Sequence, residues 1–210
     1  MGKFFVANML NNIFINQAFT ETEQKKIQMT HLDNQDNPFQ VYGTSTDNPT
    51  CDKIFLLSFS DVYGENSNSV NGTRYFTYNN DRKAMTTWFS VHRGIFAYNS
   101  ETFQACSTTN HNLSECSAFY WLRSTGVHAN TAMCIQYGGS IYHFGEYVNN
   151  DVIGVRPALW VIYWINNRES EFSKLIKKLP TPFNGLEAYF VKLELPATIS
   201  LETSISFFEV

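Results

Sequence analysis

Apolar residues recur at helical spacing near the start of the chain. Within residues 8–18 they fall three or four positions apart, which predicts a short amphipathic helix. These residues are Leu10, Ile13, Phe14 and Ala18. Thr20 stands three positions before Glu23, as in a capping box, so a second short helix is predicted over residues 21–28.

The pattern then changes to a continuous apolar run, KIFLLSF at residues 53–59, which is typical of a buried strand. One strand is also expected near Phe39–Tyr42. Apolar residues return to helical spacing after Asp81, which predicts a helix over residues 81–91. The apolar positions of this helix are Ala84, Met85, Trp88 and Val91.

Two strand-like runs flank a Gly-Gly pair within residues 132–144 and predict a hairpin. A two-residue loop would pair Gln136 with Ile141. A three-residue loop over residues 137–139, with Gly139 in the left-handed conformation, would pair Ile135 with Ile141 instead. We favour the second register because it places both isoleucines on one face, and a slip of one residue would reverse every side chain.

The character of the chain changes after residue 162. The run LEAYFVKLEL at residues 186–195 predicts a strand, and residues 199–207 alternate strictly between apolar and polar, as in a half-buried strand. We therefore expect one main domain over residues 1–162 and a C-terminal extension over residues 163–210 that contains a β-hairpin.

Composition narrows the range of functions. The chain has 210 residues, of which 43% are apolar and 16% charged, so it can form a folded core. The net charge is −4 and no basic stripe is present, which argues against a nucleic-acid partner. No apolar run is long enough to predict a membrane span, and the first residues lack the cleavage site of a signal peptide.

The cysteines are Cys51, Cys106, Cys116 and Cys134, and two interpretations of them stay open. They are either buried free thiols or include a disulfide, for which Cys106 and Cys116 form the local pairing to test. Neither cysteines nor histidines show zinc-site spacing, so we predict no metal and no cofactor.

Five sequence blocks occur in a fixed order: FTETEQKKI (19–27), CDKIFLLSFSDV (51–62), RKAMTTWFS (82–90), WLRSTG (121–126) and GVRPALW (154–160). They resemble a large bacterial domain family of uncharacterised function, with Trp-Leu-Arg-Ser and Gly-Val-Arg-Pro-Ala-Leu signatures. That family is similar to the C-type lectin fold, in the branch shared with formylglycine-generating enzymes and with variable proteins of diversity-generating retroelements. The resemblance covers about residues 8–162. Family members usually begin with further strands, most of which this chain lacks.

The resemblance implies an α+β, C-type-lectin-like fold in which short helices flank a twisted antiparallel sheet. The Leu-Arg-Ser and Val-Arg-Pro blocks would be adjacent core strands, with Trp121 and Trp160 buried. Arg123 and Arg156 would be held by carboxylates or backbone carbonyls, since an unpaired buried guanidinium is unfavourable. The candidate partners are Asp52, Asp61 and Asp81. The alternative is that the two arginines clamp an anionic substrate.

Residues 127–153, between the two arginine blocks, are rich in Asn, Tyr, His and Gly. The codons for Asn, Tyr, His and Asp differ at the first base, and adenine-directed mutation in retroelement-diversified proteins spreads Asn codons over this set. The resemblance therefore implies a variable display surface that binds a protein or a glycan, in a protein of the cell surface or a secreted one. The candidate ligand-binding residues are His128, Asn130, Gln136, Tyr137, Tyr142, His143, Glu146, Tyr147, Asn149, Asn150 and Asp151. The alternative is an Asn-rich hairpin encoded by an AT-rich genome.

Other functions compete with non-catalytic binding. An oxidase like the formylglycine-generating branch would need paired reactive cysteines in a pocket. Calcium-dependent sugar binding would use carboxylate and amide oxygens between Glu146 and Asp151, although no Glu-Pro-Asn type motif is present. A structural module of a larger surface protein would bind no ligand at all. We predict non-catalytic binding, with no enzymatic activity.

Overall fold

The computed structural model describes residues 6–34, 37, 48–63, 76, 79–99, 101–107, 113–162 and 190–194. Within these residues the chain forms short helices and small, mostly antiparallel sheets, which confirms the predicted α+β class. The helices are α1 (Met9–Phe14, π-helical, continuing as the α-helical turn Ile15–Ala18), α2 (Glu21–Gln24), α3 (Phe59–Tyr63), α4 (Asn79–Arg82) and α5 (Trp88–His92). The strands are β1 (Thr30–Leu32), β2 (Thr50–Asp52), β3 (Ile54–Leu56), β4 (Ala84–Met85), β5 (Ala97–Asn99), β6 (Cys116–Ala118), β7 (Tyr120–Thr125), β8 (Thr131–Ile135), β9 (Ile141–Tyr147), β10 (Pro157–Ile162) and β11 (Phe190–Glu194).

The first predicted helix is present, but its π-helical turns change which side chains it buries. Leu10 and Phe14 lie in the core, whereas Ile13 is exposed, because a π-helix turns less per residue than the assumed α-helix. The capping box of the next helix is confirmed, with the Glu23 carboxylate accepting from the Thr20 amide at 2.8 Å. That helix ends at Gln24 rather than at residue 28.

The predicted helix over residues 81–91 is wrong in its middle. Ala84 and Met85 form β4, which pairs antiparallel with β6, and a separate helix starts afterwards. Thr87 caps that helix by accepting from the Ser90 amide at 3.3 Å. The apolar residues do have helical spacing. Ala84 and Met85 nevertheless pair with a strand about thirty residues away in sequence, and this tertiary pairing overrides the local helical preference.

The strands of the described residues form four small sheets, in the orders β1-β2, β11-β10-β3, β4-β6-β5 and β7-β8-β9. The neighbours are antiparallel except β10 and β11, which pair in parallel. Strand β11 falls within the run predicted as a strand at residues 186–195. The predicted strands at residues 39–42 and 199–207 lie outside the described residues.

The two arginine blocks are neighbours, although they are not paired strands of one sheet. The Trp121 amide donates to the Gly154 carbonyl at 3.0 Å, so β7 runs beside the residues that precede β10. Strand β3 completes the link: it pairs with β10, and Leu57 just beyond it accepts from the Arg123 amide at 2.9 Å. The two arginine blocks are therefore not adjacent strands, as was expected, but are connected through β3.

Arg123 and Arg156 are held inside this junction by different partners. Arg123 forms an ion pair with Asp61 at 2.6 Å and donates to the Leu56 carbonyl at 3.0 Å. Arg156 donates to the Arg82 carbonyl and to the Tyr120 hydroxyl, both at 3.1 Å, and its guanidinium lies 5.0 Å from the Tyr120 ring centre. Burial lowers the pKa of Arg156 and raises that of Tyr120. These contacts support a structural role rather than an anion clamp.

A disulfide joins Cys106 to Cys116, with their Cα atoms 6.3 Å apart. Of the two interpretations that the sequence left open, the structure therefore has the one with a local disulfide. Cys51 is a free, exposed thiol and Cys134 a free, buried one. Among the described residues, none of the helices is long and apolar enough to cross a membrane.

Candidate functional site

Strand β8 is buried along its whole length and supports the predicted binding residues. Met133 and Ile135 lie in one apolar cluster, and Ala132 and Cys134 lie in another, because alternate residues of a strand face opposite ways. β9 follows on the outer side of β8 and is only partly buried. The buried strand β8 therefore supports β9, whose side chains reach solvent.

The hairpin between β8 and β9 has the register favoured from the sequence. Ile135 pairs with Ile141, and Gly139 has a φ of 78°. The Gln136 amide donates to the Ser140 carbonyl at 2.9 Å, which closes the three-residue loop. Gln136 and Tyr137 are both half-buried in this turn, at one end of the sheet.

β9 contains a bulge that changes which way its side chains point. Cys134 pairs with Tyr142 and Ala132 with Glu146, so four steps along β9 match two steps along β8. Gly145 allows this with a φ of 79°, and a Cβ there would lie 2.6 Å from the Ala132 carbonyl oxygen. The position therefore requires glycine.

Three predicted binding residues lie in the middle of β9. Tyr142 is half-buried and packs on the cluster of Trp121 and Cys134. Glu146 is also half-buried. His143 is half-buried, and its ring centre lies 4.4 Å from that of Phe144, which is 50% exposed.

Six predicted binding residues meet at the end of the sheet away from the hairpin turn; we call this group the polar end. Its members are His128, Asn130, Tyr147, Asn149, Asn150 and Asp151. They occupy the turn between β7 and β8 and the turn after β9, joined by the Val148 amide, which donates to the Asn130 carbonyl at 3.0 Å. The Asn150 side chain is half-buried and the other five are exposed.

The predicted site is therefore spread along the sheet rather than gathered in one patch. Because β9 is bulged, the length of the sheet follows from β8, whose four residue steps from Thr131 to Ile135 span about 13 Å at 3.3 Å per step. Gln136 and Tyr137 lie at one end of that distance and the polar end at the other.

Tyr137 belongs to a second group of residues, which the sequence did not predict as a site. Its ring centre lies 5.0 Å from Tyr98, 5.7 Å from Phe119 and 6.4 Å from Phe103. Phe96 completes the group, at 4.9 Å from Tyr98 and 5.7 Å from Phe119. We call these five rings the aromatic surface. The alternation of Phe96 and Tyr98 was its one local signal in the sequence, and it indicates a strand rather than a site.

Phe103 holds an unusual backbone conformation within the aromatic surface. Its φ is 54°, and its side chain is 70% exposed. A bulky residue in the left-handed region costs about 1 to 3 kcal/mol. Asn99 fixes the turn, since its main-chain carbonyl accepts from the Phe103 amide at 3.0 Å and its side-chain oxygen from the Glu101 amide at 2.8 Å. The Cys106–Cys116 disulfide, three residues beyond Phe103, ties the chain that follows this turn to β6.

The free thiol of Cys134 lies in the core. Burial raises the pKa of the Cys134 thiol to about 12, and the Glu146 carboxylate adds to this rise. Cys106 and Cys116 are joined to each other, so neither is a free thiol. A cavity of about 20 Å³ beside Thr86 and Tyr120 has room for about one water molecule. Within the described residues, no group of three or more His, Cys, Asp or Glu side chains could hold a metal ion.

These features define a small α+β domain whose frame is held by the contacts of Arg123 and Arg156 and by a disulfide, with the candidate binding side chains at the ends and on the outer strand of one sheet. The chain belongs to a family described as a domain of unknown function, DUF6273, whose model matches residues 6–162. Membership of an uncharacterised domain family, expected from the signature blocks, is thereby confirmed. No curated protein and no solved structure gives a significant match.

Proposed function

We propose that this domain binds a protein or a glycan without catalysis, and that the polar end is the contact surface. The observation that carries the proposal is how its two turns are joined. The bond between them runs through main-chain atoms of Val148 and Asn130, so the Asn130 side chain can change while that bond stays. Thr131, which is buried, closes the first turn by accepting from the His128 amide at 3.0 Å.

A surface of this kind suits a variable protein of a diversity-generating retroelement. The exposed positions of the polar end carry Asn, His, Tyr and Asp, whose codons interconvert at the first base. Tyrosine gives rigid contact area and asparagine gives adaptable hydrogen bonds, as in antibody binding sites. A C-type-lectin-like arrangement of the frame would place this domain beside the known variable proteins of such elements.

The disulfide supports a location at the cell surface or outside the cell. Disulfides persist in oxidising compartments and are rare where glutathione and thioredoxin keep thiols reduced. The same bond weakens the oxidase alternative, because it removes Cys106 and Cys116 as free reactive thiols.

A library experiment tests the display proposal. The six positions of the polar end are randomised on the full chain, and folded variants are recovered by protease resistance on yeast. We expect most substitutions there to be accepted, whereas a matched library at the buried residues 132–135 should yield few folded variants. Widespread loss of folding in the first library would show that the polar end is structural.

Binding is then measured on arrays of glycans and of extracellular proteins. We expect Tyr147→Ala to abolish any interaction found, because Tyr147 is the largest exposed side chain of the polar end, at 57% exposure. A ligand that Tyr147→Ala and Asn149→Ala leave bound as before would refute the proposed surface. A complete absence of ligands on both arrays would favour the structural-module alternative.

A further inference from the structure

The aromatic surface is built from separate parts of the chain that only the fold brings together. Phe96 and Tyr98 come from β5 and the residue before it, Phe119 from the link between β6 and β7, and Tyr137 from the β8–β9 turn. Phe103 joins them from the turn that precedes the disulfide-bonded Cys106. Phe96 and Phe103 are exposed and the other three rings are half-buried, so the group forms one contiguous patch rather than singly scattered apolar residues.

The ring planes differ in orientation. Tyr98 and Tyr137 are inclined by only 32° with their centres 5.0 Å apart, so they stack on each other, whereas Phe103 stands at 85° to Tyr137. Phe103, at 70% exposure, is therefore the ring most open to a ligand. The hydroxyl groups of the tyrosines add hydrogen-bonding capacity to an otherwise apolar site.

The area of the aromatic surface distinguishes between a protein partner and a smaller ligand. Taking about 200 Å² for an aromatic side chain, Phe103 at 70% exposure and Phe96 at 42% together offer about 220 Å². The other three rings are mostly buried, so the whole surface stays below about 450 Å². A stable protein interface needs about 800 Å² on each side. The area instead fits a ligand of two or three sugar rings.

The charges around the aromatic surface indicate the charge of the ligand that it would accept. None of the five rings carries a formal charge, and the turn that presents Phe103 also exposes the neutral side chains of Thr102 and Gln104. The carboxylates nearby in sequence are those of Glu101 and Glu115, and an Asn99 side-chain amide donates to the latter at 2.9 Å. Two negative groups beside the turn disfavour an anionic ligand.

We infer that the aromatic surface binds a neutral oligosaccharide made of pyranose units. The C–H groups on one face of a pyranose are apolar and stack on the exposed Phe103 ring. The sugar hydroxyls are left free to pair with the tyrosine hydroxyls and with water. This site is distinct from the polar end, with which it shares no residue, so it does not rest on the function proposed above.

Calorimetric titration of the full, oxidised chain with neutral hexasaccharides of glucose, mannose and N-acetylglucosamine tests the inference. Hyaluronan hexamer serves as the anionic arm and tetramethylammonium as the cationic arm. We expect at least one neutral hexasaccharide to bind and neither charged probe to do so. Binding of only a charged probe, or no binding of any neutral hexasaccharide at millimolar concentration, would overturn the proposal.

Variants locate the contact. Phe103→Ala should weaken binding of that hexasaccharide by about tenfold or more, and Phe103→Leu, which keeps apolar volume but has no ring face, should do nearly the same. Trp88→Ala removes another exposed ring, at 54% exposure, that lies outside the aromatic surface and should leave binding unchanged. Wild-type affinity in Phe103→Leu would refute ring stacking. Loss of binding in Tyr147→Ala alone would move the glycan to the polar end and overturn this inference while supporting the proposed function.

Discussion

Removing the Cys106–Cys116 cross-link should lower the free energy of unfolding by a predictable amount. The two cysteines are 10 residues apart in sequence. A loop of that size, opened in the unfolded chain, restores conformational entropy worth about 2.7 kcal/mol at 25 °C. For a domain of this length, the unfolding midpoint should therefore fall by about 5 to 10 °C.

Urea unfolding of the oxidised protein, the reduced protein and the Cys106→Ala/Cys116→Ala variant measures this effect. The reduced protein keeps both sulfur atoms, so its comparison with the oxidised form isolates the cross-link from changes in packing. Thiol titration in denaturant should count two free cysteines without reductant, Cys51 and Cys134. Four free thiols without reductant, or equal stability of the oxidised and reduced forms, would refute the reasoning.

Three further predictions concern the frame. Asp61→Asn removes the charge that pairs with Arg123 and should destabilise by about 1 to 2 kcal/mol in urea unfolding, whereas the exposed Asp151→Asn should have little effect. Gly145→Ala introduces a Cβ 2.6 Å from a carbonyl oxygen of β8 at a φ of 79° and should cost about 2 to 4 kcal/mol. The pKa of Cys134 is raised from 9.0 to about 12, so its stabilising contribution is complete below pH 9 and falls above it by about 1.4 kcal/mol per pH unit until pH 12. Cys134→Ala should lack that part of the alkaline slope.

Each of these predictions can fail clearly. Equal losses in Asp61→Asn and Asp151→Asn would mean that the ion pair adds nothing beyond a surface charge. A Gly145→Ala variant as stable as the wild type would show that the bulge relaxes without cost. An unchanged slope between pH 9 and 11 in Cys134→Ala would assign the alkaline transition to other groups, such as the tyrosines.

The sequence predicted best where neighbouring residues settle the structure. The hairpin register followed from two isoleucines that need the same core and a glycine able to take a positive φ, and the structure has that register. The capping box also depends on residues three positions apart. The partner of Arg123 was narrowed to three aspartates, but only the fold brings Asp61 against it.

The failures arise from contacts distant along the chain. Ala84 and Met85 fit a helical pattern as well as they fit a strand. They form a strand because they pair with β6, which lies about thirty residues further along the chain. The aromatic surface was not predicted from the sequence for the same reason, since its rings come from positions spread between 96 and 137. The bulge in β9 had a local signal, the lone glycine at 145, which is typical of a bulge within a strand.

The two surfaces differ in how the frame supports them, and this difference explains why they can serve separate purposes. The two turns of the polar end are joined through main-chain atoms, so that link does not depend on the identity of the side chains there, although the Asn150 side chain accepts from the Val152 amide at 3.3 Å. The aromatic surface depends on one strained residue, one disulfide and ring contacts across five positions, so a change at any of them alters the shape presented to a ligand. A surface that tolerates exchange suits the selection of new partners, whereas a surface of fixed shape suits one class of ligand. The buried strand β8 connects the two surfaces, since a turn of the polar end precedes it and Tyr137 follows it.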